Sequence, residues 1–513
     1  MAQRAPIPVV DLFAGPGGLG EGFSSLADSD GQRLFKIEVS IEKDAAAHRT
    51  LALRALFRSF PEGKAPDAYY DYVRGNITRE ELVANADMAQ REKAALEEAR
   101  CAELGKTAHQ SVDAWIRKAV GKADQWVLIG GPPCQAYSLA GRSRLRPNNE
   151  QKFEEDHRHL LYKEYLRVIR LFGPSVFVME NVKGLLTSKH GGSPIFERIL
   201  SDLREPGGGA SYEIRSLVVA GHDPAPADYL IESERFGVPQ CRHRVILFGI
   251  RSDLAKATEL SDASTRFKLR AQKTRVSVRT ALSGIPPLRS RLSERGDSED
   301  AWMANLWSAP GSLKDWRKPV RPKIEAAMKQ ALAKAATRHS TGGQFDPSPP
   351  KFAKSMPKDL RAWLEDSRLG GVLQHEARRH MATDLHRYMF AACFARVGGH
   401  SPKLSAFPPR LMPDHRNVDD EKIPFVDRFK VQMGGYPSST VVSHICKDGH
   451  YFIHFDPSQC RSLTVREAAR LQTFPDNYFF EGNRTQQYHQ VGNAVPPWLA
   501  RQIAQVVADF MAA

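Results

Sequence analysis

Short apolar segments that alternate with helical patterns over residues 1–250 constrain the fold of this chain most strongly. The segments predicted to form strands lie at residues 7–13, 35–41, 126–129, 175–179, 212–219 and 245–250. Several are continuously apolar, as expected for strands buried on both faces of a parallel sheet. Residues 159–171, between two of them, carry apolar side chains at helical spacing. This alternation predicts an α/β fold with a doubly wound sheet.

Residues 251–440 differ from the rest of the chain in charge and in pattern. They hold 34 Lys and Arg against 20 Asp and Glu, so they account for the whole formal net charge of +14. Clusters of proline and glycine replace the alternation, and helices are expected near 321–336 and 373–394. Such an excess of positive charge is what a polyanionic partner requires, although a solvated basic surface has the same composition.

Composition excludes several classes of protein. Hydrophobic residues make up 42% and charged residues 26% of the chain, which is ordinary for a globular protein. No apolar run reaches the roughly 18 residues of a transmembrane helix, and the N terminus lacks the apolar segment of a secretion signal. The six cysteines are scattered without a CxxC pair, so we expect neither a disulfide framework nor a metal site. The expected location is a reducing cytoplasm, with no membrane partner.

A glycine-rich turn follows the first predicted strand. Residues 11–20 have the sequence DLFAGPGGLG, in which Gly15, Gly17 and Gly20 satisfy the pattern GxGxxG. Glycines there allow a tight turn and close approach of the backbone to a ligand that contains a nucleoside. The acidic end of the second strand, Glu42, would suit the ribose hydroxyls of an adenosine. The pattern indicates a nucleotide-like cofactor, but it does not distinguish NAD from S-adenosylmethionine.

Two candidate catalytic groups follow later strands. Pro132 and Pro133 end one strand at the edge where open α/β sheets bind ligands, and Cys134 comes next. A cysteine at that edge is a candidate nucleophile, whereas most lone cysteines are buried and inert. Glu180 ends the following strand, where burial could raise its pKa and let it act as an acid.

Polar residues also precede a later strand and the last helix. Alternation along the strand places Gln240, Arg242 and Arg244 on one face, and two arginines there require anions, either carboxylate or phosphate. Gly492 and Asn493 permit an unusual backbone turn before the final predicted helix, near 497–511.

Taken together and in this order, these segments resemble the DNA (cytosine-5) methyltransferases. The resemblance covers residues 7–250 and 437–513, which is well over half of the chain. The shared motifs are DLFAG at 11–15 with Gly17 and Gly18, PPCQ at 132–135, ENV at 180–182, Gln240 with Arg242 and Arg244, REAARLQ at 466–472, and GNAV at 492–495.

The resemblance implies a Rossmann-like sheet that binds S-adenosylmethionine, together with a second, irregular domain. Residues 1–250 would form the catalytic domain, with a helical insertion at about 79–124. Residues 251–440 would form a basic target-recognition domain. Residues 441–513 would complete the catalytic domain.

Site residues also follow from the resemblance. The residues implied around S-adenosylmethionine are Phe13, Ala14, Gly15, Gly17, Gly18, Glu42, Asn76, Ile77, Pro132, Asn493 and Ala494. Asn76 stands where the family commonly has an aspartate near the adenine amino group. The catalytic set implied is Cys134, Glu180, Arg242 and Arg244, in which Cys134 would attack C6 of cytosine. The residues implied to contact DNA are Gln135, Ser138, Arg142, Arg144, Arg146 and Gln240.

The implied activity is methylation of cytosine C5 in a specific duplex DNA sequence. Its setting would be a restriction–modification or phage-defence system, with the protein acting as a monomer on DNA in the cytoplasm, associated with the nucleoid. An alternative is the same chemistry on tRNA, because a tRNA-modifying branch shares most of these motifs. A catalytically silent DNA-binding relative and an NAD-dependent oxidoreductase are further alternatives. The first is opposed by the full set of catalytic residues, and the second rests on GxGxxG alone.

Overall fold

The computed structural model describes residues 5–133, 161–190, 193–221, 223–257, 267–293, 296–413, 428–447 and 449–512. The described strands are β1 (Ile7–Leu12), β2 (Phe35–Glu42), β3 (Ala99–Cys101), β4 (Val127–Gly130), β5 (Val176–Val182), β6 (Lys189–His190), β7 (Ser193–Pro194), β8 (Tyr212–Arg215), β9 (Leu230–Glu232), β10 (Gln240–Cys241), β11 (His243–Arg251), β12 (Arg291–Leu292), β13 (Gly342–Asp346), β14 (Val372–Glu376), β15 (Arg379–His380) and β16 (Ser438–Ser439).

Helices surround and separate these strands. The described α-helices span Gly18–Ser24, Ala45–Arg58, Asp67–Arg74, Arg79–Leu82, Ala86–Glu98, His109–Val120, Leu161–Phe172, Ile195–Arg204, Ser252–Ala257, Val278–Ala281, Glu299–Trp307, Arg321–Ala335, Lys358–Leu364, Ala382–Gly398, Val465–Leu471, Arg484–Asn493 and Pro497–Met511. None of these helices is long and apolar enough to cross a membrane.

A central sheet is built from eight of the described strands in the order β3-β2-β1-β4-β5-β11-β8, with β9 also paired with β11. Strands β1 to β5 run parallel, and β11 is antiparallel to β5, β8 and β9. Parallel neighbours require crossover helices that cover both faces of the sheet, and this explains why these strands are continuously apolar. The predicted doubly wound α/β fold is confirmed.

Each face of the sheet packs against its own set of helices. Helices Gly18–Ser24 and Pro497–Met511 share a core with Val9 and Phe248 on one face. Helices His109–Val120, Leu161–Phe172 and Ile195–Arg204 form the core of the other face. The last helix begins at Pro497, as predicted, with two prolines at its start. The C-terminal segment therefore supplies one wall of a domain that begins near the N terminus.

The second core lies mainly within residues 251–440. It is formed by helices Glu299–Trp307, Arg321–Ala335 and Ala382–Gly398 around Trp302, which is 0% exposed. This core continues to Cys460, beyond the predicted boundary at residue 440. A third core joins helix Val278–Ala281 and helix Lys358–Leu364 to helix Val465–Leu471. The two regions are thus packed together along the whole C-terminal segment.

Three predicted elements differ from the structure. The strand expected at 212–219 ends at Arg215, because the hydroxyl of Ser216 accepts hydrogen bonds from the main-chain N–H groups of Val218 and Val219 and turns the chain. The helix expected near 373–394 is a strand, β14, followed by a helix that begins at Ala382. The helical insertion expected at 79–124 contains β3, a strand of the central sheet.

Asp11 is a buried carboxyl at the carboxyl end of β1. It is 0% exposed, and neither oxygen accepts a hydrogen bond from the described part of the chain. Burial raises the pKa of Asp11 to about 8, against the opposing effect of the Arg58 guanidinium and with a smaller contribution from Glu42. Burial therefore favours the neutral form of this carboxyl in the folded protein.

Replacing Asp11 should change how stability depends on pH. Because the folded pKa lies above that of the unfolded chain, the contribution of Asp11 is present at low pH and is lost as pH rises through about 8. We expect Asp11→Asn to be progressively more stable than the wild type as pH rises from 5 to 8.5, measured by urea unfolding without added ligand. The exposed control Asp223→Asn should follow the wild type. An Asp11→Asn difference that does not change with pH would contradict the prediction.

Candidate active site

The loop between β1 and helix Gly18–Ser24 has an unusual backbone. Phe13, Gly15 and Gly17 have φ angles of 58°, 57° and 91°, all in the left-handed region. Glycine adopts this region freely, whereas a phenylalanine there is strained. The loop opens at the carboxyl edge of the sheet, where the GxGxxG pattern predicts close approach of a ligand to the backbone.

Gly18 fixes the C-terminal segment against this loop. A Cβ atom on Gly18 would lie 2.1 Å from the carbonyl oxygen of Val495, so only glycine fits. A Cβ on Gly17 would lie 2.8 Å from Leu51 Cδ2, and the hydroxyl of Tyr478 donates a hydrogen bond to the carbonyl oxygen of Pro16. Tyr478 and Val495, which lie near the end of the chain, therefore contact the loop and fix its position.

Glu42 binds the glycine loop through its carboxylate. Oε2 accepts a hydrogen bond of 2.8 Å from the main-chain N–H of Gly15, and Oε1 accepts one of 2.7 Å from Asp44. Burial raises the pKa of Glu42, whereas these two N–H groups lower it. A carboxylate has about four acceptor positions, so Glu42 can also accept a hydrogen bond from a ligand hydroxyl.

An acid and a cation pair beside the strand end that leads to Cys134. Arg244 Nε lies 2.7 Å from Glu180 Oε1, and both side chains are largely buried. A Cβ on Gly131 would lie 3.0 Å from Glu180 Oε2, so the other carboxylate oxygen faces the 131–133 turn. The side chain of Asn181 donates a hydrogen bond to the carbonyl oxygen of Pro132, which is itself buried. The structure thus brings together Pro132, Glu180 and Arg244.

Gln240 and Arg242 both bind main-chain atoms of the C-terminal segment. Gln240 is 0% exposed, donates to the carbonyl oxygen of Leu471 and accepts from the N–H of Val441. Both ends of its amide are thus used inside the protein, and its expected contact with DNA stays a prediction.

Arg242 was expected to bind an anion and to act in catalysis. It donates to the carbonyl oxygens of Val441 and Gly492 at 3.0 and 3.2 Å, and none of the described carboxylates forms an ion pair with it. Burial and the neighbouring Arg244 lower the pKa of Arg242, against a weaker opposing effect of Glu180. The described contacts of Arg242 are those of a positioning residue, and its expected catalytic role stays a prediction.

The turn before the last helix borders the glycine loop. Helix Arg484–Asn493 ends at Asn493, which is exposed, and Ala494 is buried beside Val495. Gly492 packs so closely on the backbone of Ser443 that a Cβ would lie 2.4 Å from its nitrogen. Since Val495 touches Gly18, this turn is brought to the same site as Gly15 and Gly17.

Asn76 and Ile77 lie apart from the glycine loop, and their expected contact with the cofactor stays a prediction. Asn76 is exposed after helix Asp67–Arg74, where its amide donates to Asp71 Oδ1 at 3.1 Å. Ile77 packs in a different core from the loop residues. The third sheet strand is β3, and the residue after it, Ala102, donates its N–H to the carbonyl oxygen of Glu42. The carboxyl edge of β3 is therefore a candidate cofactor position that sequence reasoning missed.

The remaining predicted residues fall outside the part of the chain that the structure describes. These are Cys134, Gln135, Ser138, Arg142, Arg144 and Arg146.

Tyr478 and Val495 are site neighbours that sequence reasoning did not assign as loop contacts. The only sequence signal for them was their place within or beside the motifs at 466–476 and 492–495.

Comparisons with known proteins agree with this geometry. A family model for the C-5 cytosine-specific DNA methylases matches residues 81–509. The Type II methyltransferase M.Bpa9945I of Bacillus paralicheniformis is 32% identical over 520 residues, which cover 98% of this chain and 99% of that protein. The Type II methyltransferase M.AgeI of Thalassovita gelatinovora is 26% identical over 518 residues, which cover 97% and 98%.

A solved structure shares the fold. A prophage-encoded protein of E. coli, named as a DNA modification methyltransferase, aligns with a TM-score of 0.52 at 17% identity and covers 99% of this chain and 100% of its own. The family match spans most of the chain, and the first relative matches it from end to end. The chain therefore belongs to the family of C-5 cytosine-specific DNA methylases.

Proposed function

We propose that the protein transfers a methyl group from S-adenosylmethionine to C5 of a flipped-out cytosine in a specific duplex DNA sequence. The observation that carries this proposal is the ion pair of Arg244 with Glu180 beside the 131–133 turn, directly before Cys134. An acid, a cation and a thiol at neighbouring strand ends are the groups needed to activate a pyrimidine covalently. Membership of a DNA methylase family supports DNA as the substrate.

The glycine loop fits S-adenosylmethionine. Its left-handed turn leaves backbone exposed to a ligand, and Glu42 keeps acceptor positions for two ribose hydroxyls. The residues that would hold the cofactor are Phe13, Ala14, Gly15, Gly17, Gly18, Glu42, Pro132, Asn493 and Ala494. We include the carboxyl edge of β3, at Ala102 and Glu103, in place of Asn76 and Ile77.

The chemistry requires C5 of cytosine to become nucleophilic. The Cys134 thiolate adds to C6 and forms an S–C6 bond, which moves ring electrons towards C5 and N3. Glu180 bonds to or protonates N3, and Arg244 holds O2 while it fixes Glu180. When bound, S-adenosylmethionine supplies an electrophilic methyl group to C5. Loss of the C5 proton then breaks the S–C6 bond, returns the thiolate and restores the aromatic ring.

The target base must leave the duplex to reach these groups, at a free-energy cost of a few kcal/mol. Gln135, Ser138, Arg142, Arg144 and Arg146 are proposed to belong to a loop that closes over the extruded base. Their arginines suit contacts with DNA phosphates.

The basic region is proposed as the target-recognition domain. It covers residues 251–440 and holds the whole formal excess of positive charge. Residues 1–250 and 441–513 are proposed as the two parts of the catalytic domain.

The names of the relatives support a restriction–modification or phage-defence setting for this chain. Both relatives described above are named Type II methyltransferases, so we propose that this chain serves a restriction–modification or phage-defence system. We further propose that it acts on duplex DNA as a monomer. Methylation of tRNA is less supported, because the matched family is one of DNA methylases.

Removal of the thiol tests the mechanism. Cys134→Ala should lower transfer of labelled methyl groups to duplex DNA by roughly 10³-fold or more, as expected for loss of a nucleophile. Cys101→Ala, which removes an exposed free cysteine, is the matched control and should retain activity. Bisulfite sequencing of DNA from cells that express the wild type should also reveal the methylated site. Equal methylation by Cys134→Ala, or transfer to tRNA alone, would contradict the proposed function.

Glu180 and Arg244 should act as one unit. Glu180→Gln should lower kcat by about 10²- to 10⁴-fold, because it removes an acid at N3. If Arg244 works through its 2.7 Å contact with Glu180, the double variant Glu180→Gln/Arg244→Ala should lose little more than Glu180→Gln alone. Single-turnover rates for both single variants and the double variant measure this coupling. Fully additive losses would show that the two side chains act independently.

Gly18 should be required for the cofactor pocket. Gly18→Ala places a methyl group against the Val495 carbonyl, so we expect binding of S-adenosylhomocysteine to weaken by at least about tenfold in calorimetry. Gly311→Ala is the control for a general loss of glycine, since Gly311 has no left-handed backbone and a Cβ there meets nothing within 4 Å. Unchanged affinity of Gly18→Ala would contradict the assigned position of the pocket.

A further inference from the structure

A basic pocket lies in the second domain, apart from the cofactor loop. Its volume is about 360 Å³. Its cations are Arg279, Lys334 and Arg396, which come from the helices Val278–Ala281, Arg321–Ala335 and Ala382–Gly398. All three side chains are exposed at the pocket. Cations from three separate helices that meet at one concave surface differ from a charge run along a single solvated face.

The carboxylate in this pocket is already paired. Asp456 accepts hydrogen bonds from Lys334 Nζ at 2.9 Å and from the hydroxyl of Ser458 at 2.8 Å. Neither Arg279 nor Arg396 forms an ion pair within the described residues. Two guanidinium groups at one cavity therefore have positive charge to offer to an outside anion.

The backbone of the pocket is shaped to hold Arg279. Its N–H donates to the carbonyl oxygen of Gly434 at 2.9 Å, and its guanidinium lies 4.6 Å from the centre of the Phe455 ring. A Cβ on Gly434 would lie 3.0 Å from Arg279 Nη2 and from the Phe455 ring, so glycine leaves the room that the guanidinium needs. The arginine is thereby oriented before any ligand arrives.

The lining favours a phosphate over a base. The pocket lining contains no amide or hydroxyl side chain among the described residues. The Phe455 ring is covered by Arg279 and by His454, whose ring is stacked on it at 4.5 Å. A base would find little to stack on, whereas a phosphate needs only the cations.

The pocket is linked to the candidate active site through the chain and one strand pairing. Gly434 and Gly435 line it, and the chain then reaches β16, which pairs with β10 four residues before Arg244. The path runs three residues from Gly435 to Ser438, crosses to Gln240, and runs four residues on to Arg244. Seven steps of about 3.3 Å and one spacing of about 4.8 Å between paired strands give a distance of at most about 28 Å from the pocket to Arg244. This is the length of about eight base pairs, so a duplex whose target base is at Arg244 can reach the pocket.

We propose that this pocket, formed by Arg279, Lys334 and Arg396, binds one backbone phosphate of the target DNA a few nucleotides from the methylated base. The proposal rests on the proposed DNA methyltransferase function. The phosphate contact would set affinity and register on the duplex without reading its sequence.

Salt dependence of DNA binding tests the proposal. The full-length double variant Arg279→Ala/Arg396→Ala should bind more weakly both to a duplex that the wild type methylates and to an unrelated duplex. Its plot of log K against log salt concentration should be less steep by about 0.9, the value for one lost phosphate contact. Fluorescence anisotropy with S-adenosylhomocysteine present measures both quantities.

Two further variants separate charge from packing. Arg279→Lys/Arg396→Lys keeps the charges and should restore the wild-type slope. Arg317→Ala/Lys329→Ala removes two exposed cations of the same domain outside the pocket and should leave the slope unchanged. A wild-type slope in Arg279→Ala/Arg396→Ala, or an equal loss in the control, would overturn the phosphate site while DNA methylation by the wild type stands. A wild type that neither binds nor methylates duplex DNA would instead overturn the proposed function.

Discussion

The buried hydrogen bonds of Arg242 and Gln240 hold together the parts of the chain on which the site depends. Arg242 donates to carbonyl oxygens of Val441 and Gly492, which are 199 and 250 residues away in sequence. Gln240 ties Val441 and Leu471 to the same strand. Nη1 of this buried guanidinium makes both bonds, whereas Nε has no partner among the described residues, so these two bonds bring the distant segments together. Arg244, two residues further on, is thereby positioned against Glu180.

The site is therefore a property of the whole chain more than of any one motif. The glycine loop comes from the N-terminal part, the acid and its arginine from the middle of the sheet, and the last turn from residues after the second domain. Close packing of Gly18 on Val495 joins the first and last of these without any side chain between them. Such backbone-to-backbone contacts leave no tolerance for a larger residue.

Much of this arrangement was predictable, and the exceptions have physical causes. The parallel strands and the helix from Pro497 were predicted because burial on both faces and a proline start leave clear patterns. Strand β3 has three residues and includes Arg100, so its pattern is too short to detect in the sequence. The partners of Arg242 are main-chain atoms far away in sequence, and no local pattern indicates them. Arg244 and Glu180 could be recognised in the sequence only as parts of two separate motifs. Their contact depends on β5 and β11 being neighbours in the sheet.

The contact between Gly18 and Val495 has a consequence for synthesis of the protein. A ribosome completes the first strand and the glycine loop long before it reaches helix Pro497–Met511, which covers the same face of the sheet. Until that helix leaves the exit tunnel, the loop lacks its closing wall and the apolar face beneath it is open to water. Nearly five hundred residues must therefore be translated before the N-terminal part of the domain can complete its fold. An incomplete polypeptide released early would carry the glycine loop in an unfinished form.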